Sequence, residues 1–127
     1  MLFKGPYAFL SNMYTCNVEG YPCVESMFQA EKCKLGIEKG QFKFMNGYAA
    51  KAQGRRVILR PDWEMVKVDV MRSVLKCKFK GELLERLKAI EEDIIEHNTW
   101  GDTFWGVCNG VGNNMLGKLL MELRDND

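Results

Sequence analysis

Residues 60–81 read RPDWEMVKVDVMRSVLKCKFKG. Arg60-Pro61-Asp62 opens a helix, because proline is tolerated in the first turn, where its missing N–H has no partner to lose. From Trp63 onward the apolar residues Val66, Val70, Met71, Val74, Leu75 and Phe79 recur at steps of three and four. That is the stripe of an amphipathic helix, and Gly81 stops it. The same steps predict helices over residues 24–35, stopped by Gly36, and roughly 38–45 and 48–53, the last with Asn46 as cap and Gly54 as stop. Leu83, Leu84, Leu87 and Ile90 make another, and about 114–124 the last. Strands are few: Tyr14 to Val18, a return after Glu19-Gly20, and a short run over 93–96. The expected fold class is therefore α+β, a mainly helical single domain over residues 1–127 with a few short strands.

The chain of 127 residues can bury a core without staples. Eighteen basic against 17 acidic residues leave a net charge of +1, so no global field draws it to nucleic acid or to an anionic membrane. Lys32, Lys34, Lys43, Lys51, Arg55, Arg56 and Arg60 crowd the first half, mostly as expected of solvated helix surface. Five cysteines at wide spacings contain no Cys-x-x-Cys pair, and the single histidine has no ligand partner at zinc spacing. Neither a metal site nor a disulfide framework is expected. With no leader peptide, lipidation motif or long apolar run, the sequence reads as a cytoplasmic protein that makes no membrane contact.

Chemistry concentrates in two places. The stretch Glu96-His97-Asn98-Thr99-Trp100-Gly101-Asp102-Thr103-Phe104-Trp105-Gly106 holds acids, a histidine and two tryptophans. It reads either as a loop pinned to the core by its aromatics or as a site that stacks a flat ring and handles protons. Asp102 alone is equally a turn aspartate bonding its own backbone. On the first helix, Glu25 and Lys32 lie seven residues apart, nearly on one face, with Gln29 between them. Spacing alone makes this a solvated face. The alternative is a carboxylate and an amine facing one cavity, where a desolvated amine becomes a nucleophile. The glycines of Gly110-Val111-Gly112-Asn113-Asn114 precede the last helix, whose free backbone N–H groups suit a phosphate.

Taken in order, the short motifs resemble a known family. Phe9-Leu10-Ser11-Asn12, Val24-Glu25, Phe28-Gln29-Ala30 with Lys32, and Gly54-Arg55 come first. Trp63, Lys67, Met71, Leu75 and Lys78-Phe79 follow, then Glu96-His97-Asn98, Asp102, Phe104-Trp105-Gly106, and finally Gly112, Asn114, Leu116-Gly117, Leu119-Leu120 and Arg124. This resembles the NADAR family, also called YbiA-like, from Phe3 to Arg124. The resemblance implies an N-glycosidase that hydrolyses a ribosyl C–N bond. The substrate would be a phosphoribosyl-amine intermediate of riboflavin biosynthesis or ADP-ribosylated guanine, the latter bringing ADP-ribosylated nucleic acid in as a partner. It implies Glu25, Lys32 and Asp102 as catalytic residues. Substrate contacts would be Phe9, Ser11, Asn12, Arg55, Trp63, Trp105, Gly106 and Asn114, with no cofactor and no metal. The alternatives are a non-catalytic module that binds ADP-ribose or another nucleotide, and a partner-binding helical protein. Ser26 departs from the pattern, since family members often carry histidine there. Oligomeric state is not readable from the sequence.

Overall fold

Pro22 and an extended Cys23 end the aromatic N-terminal segment and release the chain into α1 (Val24–Glu31). Val24, Phe28 and Ala30 are buried, so one face of this short helix is committed to packing. The computed structural model describes residues 1–126; the last residue of the expected domain, 127, lies outside the described residues. The chain divides into two compact units: residues 12–78, and residues 1–11 together with the chain from Phe79 onward.

In the unit of residues 12–78, α1 packs on α3 (Gly47–Gln53), on α4 (Trp63–Lys78) and on a 3-10 turn at Gln41–Phe44, which follows α2 (Gly36–Gly40). Tyr21, Ala30, Phe42 and Ala50 form a buried cluster, filled out by Met27, Cys33, Met45 and Val57. Asn46 caps α3 as its sequence predicts, its Oδ1 accepting the Ala49 N–H at 2.9 Å. The long helix predicted from residues 60–81 is α4, with Trp63, Met71, Val74 and Leu75 buried along its stripe.

Two expectations in this unit are corrected. The first helix does not reach Leu35, and Gly36 begins α2 instead of stopping α1. The reason is a competing partner: the chain leaves the helix at Lys32 to bridge Cys33 to Leu59. Arg60 N–H donates to the Lys32 carbonyl at 2.9 Å and Lys34 N–H to that of Ile58 at 2.8 Å. The strand expected over 14–18 reduces to one bridge, Val18 to Tyr21, closed by Glu19 and Gly20 at φ of 51° and 89°. Both turn residues are left-handed, as a tight two-residue hairpin turn requires.

The other unit holds a 3-10 turn (Gly5–Leu10), α5 (Glu82–Lys88), and a two-stranded sheet of β1 (His97–Asn98) and β2 (Val107–Cys108). It ends in α6 (Met115–Asp125), against which α5 packs. The strands are parallel, His97 facing Val107 and Asn98 facing Cys108. The strand expected over 93–96 therefore forms one step further along. At 94–96 a side chain takes the place of a strand partner: Asn114 accepts the Glu96 N–H at 3.0 Å and donates to the Ile94 carbonyl at 2.9 Å. Asn114 itself is left-handed, at φ 51° and ψ 41°, a conformation asparagine tolerates better than most residues. Gly117 lies against the same segment, where a Cβ would collide with the Ile94 carbonyl. Arg124 fastens the far end of α6 by donating to the carbonyls of Ile90 and Glu92 at 3.0 and 2.7 Å. Among the described residues no helix is long and apolar enough to cross a membrane. All five cysteines are unbridged.

Because Asn114 satisfies two backbone groups from a buried position, Asn114→Ala leaves both unpaired. The expected loss of unfolding free energy is about 2–4 kcal/mol by urea titration, with Asn114→Asp, which keeps only the acceptor, falling between.

Candidate functional site

Glu25 stands in the first turn of α1, its backbone N–H donating to the Asn12 carbonyl at 3.0 Å. One turn on, Gln29 donates from Nε2 to Glu25 Oε2 at 2.7 Å. Gln29 is only 6% exposed, so the solvated face that spacing alone suggests is not what forms. Lys32 caps the helix, and its half-buried amine shares this face. Burial pushes the Lys32 amine below its ordinary value of 10.5. The Glu25 carboxylate opposes that shift and the Arg55 guanidinium adds to it. A carboxylate, an amide and a partly desolvated amine thus follow one another along successive turns, an arrangement that favours the neutral, nucleophilic form of a lysine.

Asn12 adds a polar group to this neighbourhood. Its Nδ2 points at the Met71 sulfur, 3.8 Å away, and its Oδ1 is buried without a hydrogen-bond partner. A buried acceptor left open costs stability and suits a ligand donor. Arg55 is exposed just beyond α3. Trp63 is buried at the start of α4, its ring 5.1 Å from that of Phe28 at a 54° tilt, so it serves the core of this unit. Ser26, where histidine was the family expectation, is fully buried and donates to the Met45 carbonyl at 2.6 Å. In this chain that position fastens α1 to the segment before α3.

The remaining expected residues lie in the other unit. Asp102 realises the turn reading: Oδ1 accepts the Phe104 and Trp105 amides at 3.1 and 2.9 Å. Asn98 closes the same loop from below, accepting the Asp102 N–H at 3.1 Å and donating to its carbonyl at 2.8 Å. Trp105 is partly exposed and meets Phe104 edge to face, centroids 4.8 Å apart. Gly106 is required by close approach, since a Cβ would stand 2.5 Å from Glu96 Oε1 and 2.7 Å from Asn98 Nδ2. Ser11 is half-buried where the N-terminal 3-10 turn ends, its N–H bonded to Ala8. Phe9 is buried, with the Arg86 guanidinium 4.2 Å above its ring and Phe79 at its edge. An open depression of about 440 Å³ beside it is lined by Tyr7, Arg86 and Glu92, among others, and by none of the expected reacting groups.

The start of α6 is not the phosphate cradle the glycines suggested. The N–H groups of residues 113, 114, 115 and 116 donate in order to the carbonyls of Thr103, Gly106, Phe104 and Trp105. Those amides are satisfied within the protein, and Asn114 gives its side chain to residues 94–96. Among the described residues, no three His, Cys, Asp or Glu side chains come together as a metal-binding set. Sequence reading passed over Gln29 and Asn98 as anchors. The signal that marks them is a nearby glycine with no turn to serve, Gly54 for the first and Gly106 for the second.

Comparison with known proteins gives the family. The chain is 36% identical over 111 residues to N-glycosidase YbiA of Shigella boydii, covering 83% of this chain and 69% of that protein. It is 38% identical over 120 residues to the riboflavin biosynthesis protein PYRR of Zea mays, covering 82% of this chain but 19% of that protein. The NMR structure of Escherichia coli YbiA superposes with a TM-score of 0.86 at 33% identity, over 99% of this chain and 83% of that one. The NADAR domain matches residues 2–126, and the chain belongs to that family.

Proposed function

We propose that this chain is an N-glycosidase that hydrolyses the ribosyl C–N bond of a phosphoribosyl-amine, with Glu25 and Lys32 as its reacting groups. The observation that carries the reading is the half-buried Lys32 amine, held below its ordinary pKa beside the Glu25 carboxylate. The names of its relatives support the reaction class, and the riboflavin protein among them supports this substrate over ADP-ribosylated guanine.

The neutral Lys32 amine attacks the anomeric carbon, forming a C–N bond to the sugar as the bond to the base breaks. The transition state carries positive charge on that carbon, which the Glu25 carboxylate stabilises. The proton that Lys32 loses passes through Glu25 to the departing nitrogen. Glu25 next carries the remaining lysine N–H proton to the ring oxygen as the ring C–O bond opens, leaving a lysine Schiff base. Water adds across that bond, its proton relayed by Glu25 to the lysine nitrogen. The C–N bond then breaks as the new hydroxyl gives its proton to nitrogen, freeing the sugar aldehyde and the amine. A carboxylate-only variant omits the covalent step and lets water attack the charged carbon directly. Arg55 is the candidate for the substrate phosphate, since guanidinium recognises it bidentately, and Asn12 Oδ1 accepts a ribose hydroxyl.

Glu25→Gln is expected to lower kcat by about 10²–10⁴-fold while leaving the melting temperature unchanged, measured as base released from a phosphoribosylamino-pyrimidine. Borohydride added during turnover should fix the sugar on Lys32, detectable by peptide mass. Turnover with no adduct selects the carboxylate-only route.

The pH dependence follows from the sign of the Lys32 shift. A lysine lowered from 10.5 is neutral at a lower pH than usual, so kcat/KM should rise with pH and level off below that value. Arg55→Gln removes a positive neighbour, which moves the rise to higher pH.

Asp102→Asn tests charge apart from loop geometry, because asparagine keeps the oxygen that receives the Phe104 and Trp105 amides. A role for the charge in orienting water or a ribose hydroxyl predicts lost activity at unchanged stability, and full activity assigns Asp102 to the turn alone.

A further inference from the structure

We infer that Gln29 is a positioning residue for the Glu25 carboxylate, and that Gly54 exists to let Gln29 lie where it does. The inference rests on the reading of Glu25 as a reacting group.

Three observations converge on it. Gln29 is buried, yet its donor goes to Glu25 Oε2 at 2.7 Å, one turn back along α1. Its other end, Oε1, is buried with no hydrogen-bond partner. An amide with one satisfied end is stable in the interior only if the bond it makes is a strong one, and a donor on a carboxylate is of that kind. Finally, Gly54 is buried at the end of α3 with φ −59°, an ordinary helical value. Any residue could adopt that backbone. What forbids a side chain is Gln29: a Cβ on Gly54 would stand 2.7 Å from its Cδ and nearer still to Oε1. The glycine is thus a steric permission for the glutamine, and the glutamine fixes which way the carboxylate points.

The amide does two things for Glu25. It holds the side chain in one rotamer, so the carboxylate need not be ordered when substrate arrives. It also favours the ionised form, because it donates a hydrogen bond to the charged oxygen. Removing the donor makes the carboxylate easier to protonate. The acid limb of the rate profile, where Glu25 loses its charge, then moves to higher pH.

The test uses the full chain and the phosphoribosylamino-pyrimidine. Gln29→Met keeps the volume and removes the donor. It is expected to lower kcat by about tenfold or more with KM held within about twofold. The acid limb should move up, and so should the midpoint of the Glu25 carboxyl ¹³C titration, which reads the same effect without turnover. Gly54→Ala should reproduce these changes by displacing Gln29, yet add nothing further in a Gln29→Ala background, the non-additivity of two residues acting through one contact. Equal damage from Gly54→Ala in both backgrounds overturns the pairing. An inactive Glu25→Gln together with an unmoved ¹³C midpoint in Gln29→Met overturns the inference alone. Full activity in Glu25→Gln overturns the reading of Glu25 beneath it. Thermal melting of each variant identifies lost folding, and for a variant that does not fold the ¹³C midpoint of the other decides.

Discussion

The constraint on which the candidate site depends is the early end of α1. A helix continued to Leu35 would spend the Lys32 carbonyl on the helix's own next turn. Instead the chain at 32–34 pairs with 58–60, and the Lys32 carbonyl is taken by the Arg60 amide at 2.9 Å. That bond fixes the lysine backbone from outside the helix while the Gln29 carbonyl still holds its N–H at 3.3 Å. Arg60 reinforces the join, donating to the Glu31 carbonyl and pairing with Asp62 at 2.7 Å. A long, flexible side chain ordinarily loses much entropy when it is held in place. Here its root is already fixed, and only the four-carbon stem remains to be ordered.

Much of this fold was legible because local chemistry and tertiary packing agree. The stripe from Trp63 to Phe79 and the asparagine cap of α3 settle their own helices, whatever surrounds them. Reading fails where a partner distant in sequence decides. Gly36 looks like a helix stop, yet residues 58–60 end α1 four residues earlier and leave Gly36 free to start the next helix. Residues 93–96 look like a strand because the paired β-branched Ile94 and Ile95 stand between two acids. Two of their backbone hydrogen bonds go to an asparagine side chain 18 and 20 residues away, which no periodicity reveals.

The site divides in the same manner. Glu25 and Lys32 were visible as residues, and the resemblance to a family supplied their roles. What spacing could not show is that Gln29 between them is buried, since a glutamine on a polar face carries no sign of its own burial. The sign sits at Gly54, whose backbone has no conformational need of glycine. Asp102 shows the converse. Beside two aromatic residues it reads as a catalytic acid, but one of its oxygens already receives two loop amides. An acidic residue two positions before an aromatic pair is therefore first a loop device, and any chemical role is added to that.

Two lysines in residues 12–78 are depressed by burial, and they differ in what the proposed reaction would need of a nucleophile. Lys78 is the more extreme: 3% exposed, with burial lowering its pKa to about 8 against weaker opposition from the Cys16 and Cys23 thiols. Its amine lies 5.5 Å from the centroid of the Tyr14 ring. Deprotonation alone would favour it as the reactive amine. But a nucleophile must reach an anomeric carbon and pass a proton to a leaving group, and an amine closed in by aromatic and thiol groups can do neither. Its shift is a matter of stability. The unfolded chain binds a proton there between pH 8 and 10.5 that the folded chain has released, so folding gains free energy as pH rises through that window. Lys32 has a milder shift but is only partly buried and has a carboxylate in its field. The proposed reaction needs access joined to a proton partner, and of these two lysines the one at the end of α1 has both.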